Sequence, residues 1–175
     1  EEVRPYLSPQ GTLVVFDVDM VLLHSREPAF QMPNMIAHRS LARDLMEGLS
    51  RVEKDLLLNL MITQSELELI EEKMPQFVRE LKEKEIPALA LTGILSGGLE
   101  SIPDMTSWRV ESLKSFGYDF SYSFPEVPPT TLEHFSKAFD SYPKYAEGVL
   151  ITNGSSGSYT KGDVLITFFE LAAYH

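Results

Sequence analysis

The 175-residue sequence contains no cysteine, which excludes a disulfide framework and any zinc site built on thiolates. Positive charge is scarce, with 15 Lys and Arg against 26 Asp and Glu and a net charge of −11. A basic patch is the usual footprint of a nucleic-acid binder, so the balance argues against nucleic acid as a partner and, on the same ground, against anionic membrane surfaces. A local phosphate site stays open to an acidic protein wherever a helix N-terminus, a lysine or a metal faces the anion. No apolar run approaches the length of a bilayer span, and no internal repeat is visible. The chain opens Glu1-Glu2 without methionine, as expected of a processed or trimmed product. The compartment, whether cytoplasmic, periplasmic or secreted, is therefore not written in these residues. What is present is an ordinary globular composition, 43% apolar and 10% aromatic, in a length that suits one domain with a small insertion.

Residues 13–16, Leu-Val-Val-Phe, follow Pro9-Gln10-Gly11 and read as a short buried parallel strand. Residues 25–30, with Pro28 and the nearby Pro33, read as loop. From about 35 to 85 the spacing predicts helices, first through Ile36, Leu41, Leu45 and Leu49, then through Leu56, Leu57, Leu60 and Met61. Thr63 and Glu66 have the form of a capping box, and an apolar stripe runs from Leu67 and Ile70 through Met74, Val78 and Leu81. Residues 86–93 are a second strand candidate ending in Thr92-Gly93. Residues 103–116 read as a helix that starts at Pro103-Asp104 and stops at Gly117. The pattern then predicts a short strand over 119–124, a loop over 125–129, a short helix over 131–139, a third buried strand over 148–152 and a flexible turn over 153–158. Thr160 caps a final helix over 161–173, with Asp163 completing a capping box. Strand alternating with helix implies an α/β fold.

Asp17 and Asp19 stand where the first strand ends, and open α/β sheets bind ligands beyond the carboxyl ends of their strands. A carboxylate can take up a phosphoryl group, and a second carboxyl two residues on can move the accompanying proton. Asp-x-Asp after a strand is equally common as plain turn or cap chemistry. Thr92 places a hydroxyl at the end of the second strand, and Gly93 would let the backbone approach a ligand, though a strand-ending Thr is also ordinary turn composition. Lys161 lies in the first turn of a helix, where a cation opposes the macrodipole at a cost of about 0.3–1 kcal/mol. Such a lysine suggests a nearby anion, Asp17 or a bound phosphate, or else a solvent-facing side chain that tolerates the penalty. Residues 154–163 superficially resemble a phosphate cradle, but Lys161 precedes its glycine and is followed by Gly162-Asp163, so this is not a P-loop. His24, His38 and His134 read as solvated loop histidines, although His24 lies close enough to Asp19 in sequence to face the same site. The aromatic cluster from Phe116 to Phe124 reads as core and strand face rather than a base-stacking platform.

Four apolar residues followed by Asp17-Val18-Asp19-Met20-Val21-Leu22, then a strand-ending Thr92, then Lys161 at a helix start, resemble in order the first three motifs of the haloacid dehalogenase-like (HAD) superfamily. The resemblance covers residues 12 to about 172. It implies a three-layer, Rossmann-like, mainly parallel α/β sheet, with a core formed by 1–34 and 86–175, a helical cap-like insertion over 35–85 and a second insertion around 118–147. It further implies a magnesium (Mg2+)-dependent phosphomonoester phosphatase acting on a small phosphorylated substrate. In that reading Asp17 is the nucleophile, Asp19 the general acid/base, and Thr92, Gly93 and Lys161 hold the phosphate. Magnesium would be bound by the Asp17 side chain and the backbone carbonyl of Asp19. Leu91-Thr92-Gly93 followed by a helix and Phe120-Ser121, and the stretch from Gly148 to Lys161, also resemble an uncharacterised HAD-like branch known from intracellular bacteria.

The sequence departs from this pattern in two places. The family's fourth motif, an acidic pair that completes the magnesium site, has no counterpart before His175, and Asp163 and Glu170 within the final helix do not match it. Met20 replaces a glycine often found in the first loop. The expectation is that the chain is a fragment of a longer protein or a shortened variant, with residues 13–16 left as an exposed sheet edge able to self-associate. The alternative to a phosphatase is a HAD-like scaffold without catalysis, serving as a binding or interaction module.

Overall fold

A computed structural model describes residues 8, 11–154 and 158–173. In chain order the elements are β1 (Val14–Asp17), β2 (Leu23–Ser25), a 3-10 turn (Pro28–Phe30), α1 (Met32–Ala37), α2 (Arg39–Leu45), α3 (Arg51–Gln64) and β3 (Leu67–Leu69). They continue with α4 (Met74–Glu83), β4 (Ala88–Thr92), α5 (Met105–Ser115), β5 (Thr130–Thr131), β6 (Lys144–Ala146), β7 (Val149–Ile151) and α6 (Lys161–Ala172). The fold is mixed α/β. One five-stranded sheet has the order β1-β4-β7-β6-β5, with β1, β4 and β7 parallel and β6 and β5 added antiparallel. A separate two-stranded ribbon pairs β2 with β3.

The sequence of β4 explains how the sheet is covered. Successive side chains of a strand point to opposite faces, and all five residues of β4 are buried. Ala88 and Ala90 meet α4 and α5 through Val78, Leu81, Met105, Val110 and Leu113. Leu89 and Leu91 face the other way and pack with Val164 and Phe168 of α6. Helices therefore cover both faces, and the central strand reads as a continuous apolar run. Among the described residues β1 pairs only with β4, and its Val15 is 37% exposed, so β1 is an edge.

The stretch from 35 to 85 divides. Helices α1 to α3 lie between the two strands of the β2–β3 ribbon, whereas α4 packs on β4 and contributes Val78 and Leu81 to the core. Thr63 to Glu66 do not open a helix. They close α3, where the Ser65 hydroxyl donates to the Met61 carbonyl and Leu67 begins a strand. The working capping box is Ser50 with Glu53, which carries the same residue pattern. Residues 25–30, read as loop, include the end of β2 and the 3-10 turn.

Two further expectations are corrected. Residues 119–124 form turns rather than a strand. Asp119 accepts from the backbone and hydroxyl of Ser121, and the Ser123 hydroxyl bonds both the amide and the carbonyl of Ala88, so side chains take the place of a ladder. Residues 131–139 form no helix, because Thr130 and Thr131 pair with Tyr145 and Lys144 and the chain then bends back through Leu132 to Pro143. Asn153, placed by sequence in a flexible turn, is fully buried. Residues 155–157 of that turn lie outside the described residues.

The β6–β7 hairpin turns on Glu147 and Gly148, with φ values of 49° and 78°, the left-handed pair that a two-residue hairpin requires. A Cβ added at Gly148 would lie 2.1 Å from the Phe120 carbonyl oxygen. Gly148→Ala should therefore cost about 3 kcal/mol or more through combined backbone strain and overpacking. Denaturant unfolding checks this, and an unchanged midpoint would contradict the close packing described.

Candidate active site

The carboxyl ends of β1, β4 and β7 lie at one edge of the sheet, where the backbone amide of Thr152 donates to the Thr92 carbonyl at 3.0 Å. The end of the strand separates the two aspartates, because β1 stops at Asp17 and Asp19 lies in the turn beyond it. Asp17, the last residue of β1, has its side chain 47% exposed, Val18 is buried, and Asp19 is 28% exposed. The Lys161 ammonium stands 2.7 Å from Asp17 Oδ1, which also accepts from the Val18 amide at 2.8 Å. Asp17 Oδ2 has no protein hydrogen bond among the described residues.

Lys161 arrives at this position because α6 starts there. The Thr160 hydroxyl accepts from the Asp163 amide while the Asp163 carboxylate accepts from the Thr160 amide at 2.6 Å, which fixes the first turn. The Thr160 amide and hydroxyl, both donating to it, hold the Asp163 carboxyl below the usual carboxylate range. The opposing charge that a helix-start lysine calls for is Asp17, 144 residues away in sequence. Gly93 lies alongside, and a Cβ there would touch the Lys161 stem at 3.5 Å.

Asp19 has a different environment. Its Oδ1 accepts from Arg109 Nη2 at 2.6 Å and its Oδ2 from the Thr92 hydroxyl at 2.7 Å. Arg109 is wholly buried, its guanidinium lies 4.9 Å from the Trp108 ring, and its Nε and Nη1 find no hydrogen-bond partner among the described residues. Asp19 is thus the counter-ion of a buried cation. Asp104 anchors the start of α5 by accepting from the Ser107 amide at 2.9 Å and pairing with Lys144 at 2.9 Å. Burial pushes the Asp104 carboxyl up, but the Lys144 and Ser107 donors outweigh it and hold the carboxyl below its ordinary value.

The structure thus brings Asp17, Asp19, Thr92, Gly93 and Lys161 to one edge, with the Thr92 hydroxyl committed to Asp19. Sequence reasoning missed three residues that set this geometry. Arg109 lies four residues from both Met105 and Leu113 on the buried face of α5, and a cation on an apolar stripe is a signal for a buried carboxylate. Asn59, buried on α3, accepts from the Leu95 amide at 2.9 Å and so hangs α3 on the loop after β4. Asn153 adopts φ 58°, accepts from the Ser96 amide and donates to the carbonyls of Ala138 and Ser141, tying the loops behind the site. Met20, where a glycine was expected, is left-handed at φ 65°.

A cavity of about 310 Å³ opens beside Asp17 and Lys161 and reaches beneath α1 and α3. His24 lines it, with its Nε2 held 3.1 Å from Glu68 of β3. Among the described residues no group of three His, Asp or Glu side chains converges to cage a metal. Magnesium, however, commonly uses one or two carboxylates and completes its shell with water and substrate phosphate. Asp17 Oδ2 and the Asp19 backbone carbonyl are oxygen donors of the right kind for an ion shared in that way.

The chain belongs to the family described as "Protein of unknown function (DUF2608)", whose model matches residues 1–175. It is 29% identical over 171 residues to an uncharacterized protein of Rickettsia bellii, covering 95% of this chain and 56% of that protein. It is 27% identical over 164 residues to one of Rickettsia felis, covering 91% and 54% respectively. A 90-residue stretch is 32% identical to an uncharacterized protein of Rickettsia typhi, covering 51% of this chain and 30% of that one. The chain spans about half the length of the first two. No solved structure matches it. No helix among the described residues is long and apolar enough to cross a membrane.

The two aspartates differ in what their removal costs. A half-exposed ion pair contributes about 0–1 kcal/mol, so Asp17→Asn should leave stability within about 1 kcal/mol of the parent. Asp19→Asn strips a buried arginine of its counter-ion and should cost about 3 kcal/mol or more. Urea unfolding of both variants checks the contrast, and equal losses would contradict it.

Proposed function

We propose that this DUF2608-family chain carries the core of a HAD-like phosphomonoester hydrolase that works through an aspartyl-phosphate on Asp17. The observation that carries the reading is the Asp17–Lys161 pair at the carboxyl end of β1, at the mouth of a cavity. An exposed ion pair of this kind stabilises the fold little, whereas a carboxylate with one free oxygen beside a fixed ammonium suits attack on a phosphate. In the same reading the sheet is a Rossmann-like core and α1 to α3 form a cap over the site.

In the first step a carboxylate oxygen of Asp17 attacks phosphorus, the bond to the leaving oxygen breaks, and that oxygen takes a proton from protonated Asp19. In the second step water attacks the phosphorus of the acyl phosphate, Asp19 takes the water's proton, and the Asp17 carboxylate is regenerated as phosphate departs. Lys161 offsets the negative charge of the phosphoryl oxygens. Thr92 and Arg109 hold the Asp19 carboxylate through both oxygens, the form that takes the water's proton in the second step. In the first, a bound phosphate would draw the Thr92 hydroxyl from Asp19 and leave Oδ2 to carry the proton donated to the leaving oxygen. Asp17 and the Asp19 carbonyl would hold magnesium, which when bound would draw charge from the phosphoryl oxygens.

The buried Arg109 favours a second reading, in which Asp19 is only a counter-ion and the chain is a non-catalytic HAD-like binding scaffold. Hydrolysis of an aryl phosphate, measured with magnesium and with chelator, separates the two. The proposal expects magnesium-dependent phosphate release that Asp17→Asn reduces by about a thousandfold or more. Absence of turnover in the parent chain, or full turnover in Asp17→Asn, would sink it.

A further inference from the structure

Beyond the reacting groups, the cavity itself is informative about the substrate. One end is charged, where Asp17, Asp19 and Lys161 meet, and Asp55 of α3 adds one further carboxylate to the lining. The remaining wall is largely apolar and is built by Met20, Phe30, Met35, Leu58, Met61 and Ile62. The polar side chains that do reach this wall are already engaged. Asn59 accepts from the Leu95 amide and donates to the Asp55 carbonyl, Ser65 donates to the Met61 carbonyl, His24 pairs with Glu68, Ser25 pairs with Glu27, and the Asp55 side chain is likewise engaged. Hydroxyls of a sugar or glycerol headgroup would be stripped of water there and meet donors and acceptors that are already committed.

We infer that this site selects phosphomonoesters whose organic part is compact and apolar, an aryl or short alkyl group, over glycerol, sugar and nucleoside phosphates. The inference rests on the phosphatase reading for its charged end and on the cavity for its selectivity. At about 310 Å³ the space is at the small end of ligand pockets, which run to about 1,000 Å³. Met20, Met35 and Met61 are flexible, polarizable side chains that adapt to apolar groups of different outline. Met20 lines this wall from a left-handed backbone that glycine would adopt without strain, so an apolar side chain stands where the backbone geometry favours none.

Calorimetric binding of non-hydrolysable phosphonates to the full chain, with magnesium present, tests the selection without relying on turnover. Benzylphosphonate should bind about tenfold or more tightly than methylphosphonate or 3,4-dihydroxybutylphosphonate. Leu58→Asp, at a partly exposed position, and separately Met61→Gln should bring benzylphosphonate down towards methylphosphonate, and Lys161→Met should weaken all three. If the phosphonates bind through Lys161 with no preference for the benzyl group, the selectivity inference is overturned and the phosphatase reading stands. If benzylphosphonate binds no more tightly than benzyl alcohol and Lys161→Met changes nothing, the phosphate reading fails and the inference falls with it. Failure of every phosphonate to bind overturns both.

Discussion

The arrangement at the sheet edge depends on where a buried arginine finds its counter-charge. The face of α5 that supplies Met105, Val110 and Leu113 to the core also carries Arg109 inward, and a guanidinium in such surroundings must be paired. Asp19 provides the pairing from the loop after β1, and Thr92 at the end of β4 secures its second oxygen. Three elements distant in sequence are thereby drawn together at one carboxylate. With Asp19 fixed in the turn beyond β1, Asp17 at the last position of the strand stands half-exposed towards solvent and the cavity, where Lys161 meets it.

This division assigns the two aspartates different physical duties. The Asp19 interaction lies largely out of water and contributes to holding the fold. The Asp17 interaction is half-exposed and contributes little to stability, which leaves that carboxylate available for chemistry. The supporting groups follow the same logic. Asn59 sets the helical insertion against the core loop, and Asn153 locks the loops behind the site with both ends of its amide. The cavity between insertion and core is consequently walled by groups whose polar needs are already met.

Much of the framework was legible in the sequence because it is local. The apolar runs of β1, β4 and β7, the Asp104 cap of α5 and the Thr160–Asp163 box of α6 are each specified by a few adjacent residues. The position of Lys161 against the helix dipole correctly pointed to a nearby anion. The failures also have physical reasons. Residues 119–124 alternate like a strand, but Asp119 and Ser123 satisfy backbone groups with their side chains instead. The capping-box pattern occurs at both Ser50 and Thr63, and only the first lies where a helix begins. Asp19's pairing with Arg109 spans 90 residues. Local spacing could flag an arginine on an apolar helix face but could not name its partner.

The central claim is that Asp17 becomes covalently phosphorylated. Acid quenching of the chain during reaction with an aryl phosphate and magnesium, followed by mass spectrometry of the peptide around residue 17, tests this directly. The account predicts a phosphoryl group on the Asp17 carboxylate that is absent from Asp17→Asn. Phosphate release with the phosphoryl group on another residue, or with no phosphorylated residue under single-turnover conditions, would contradict it.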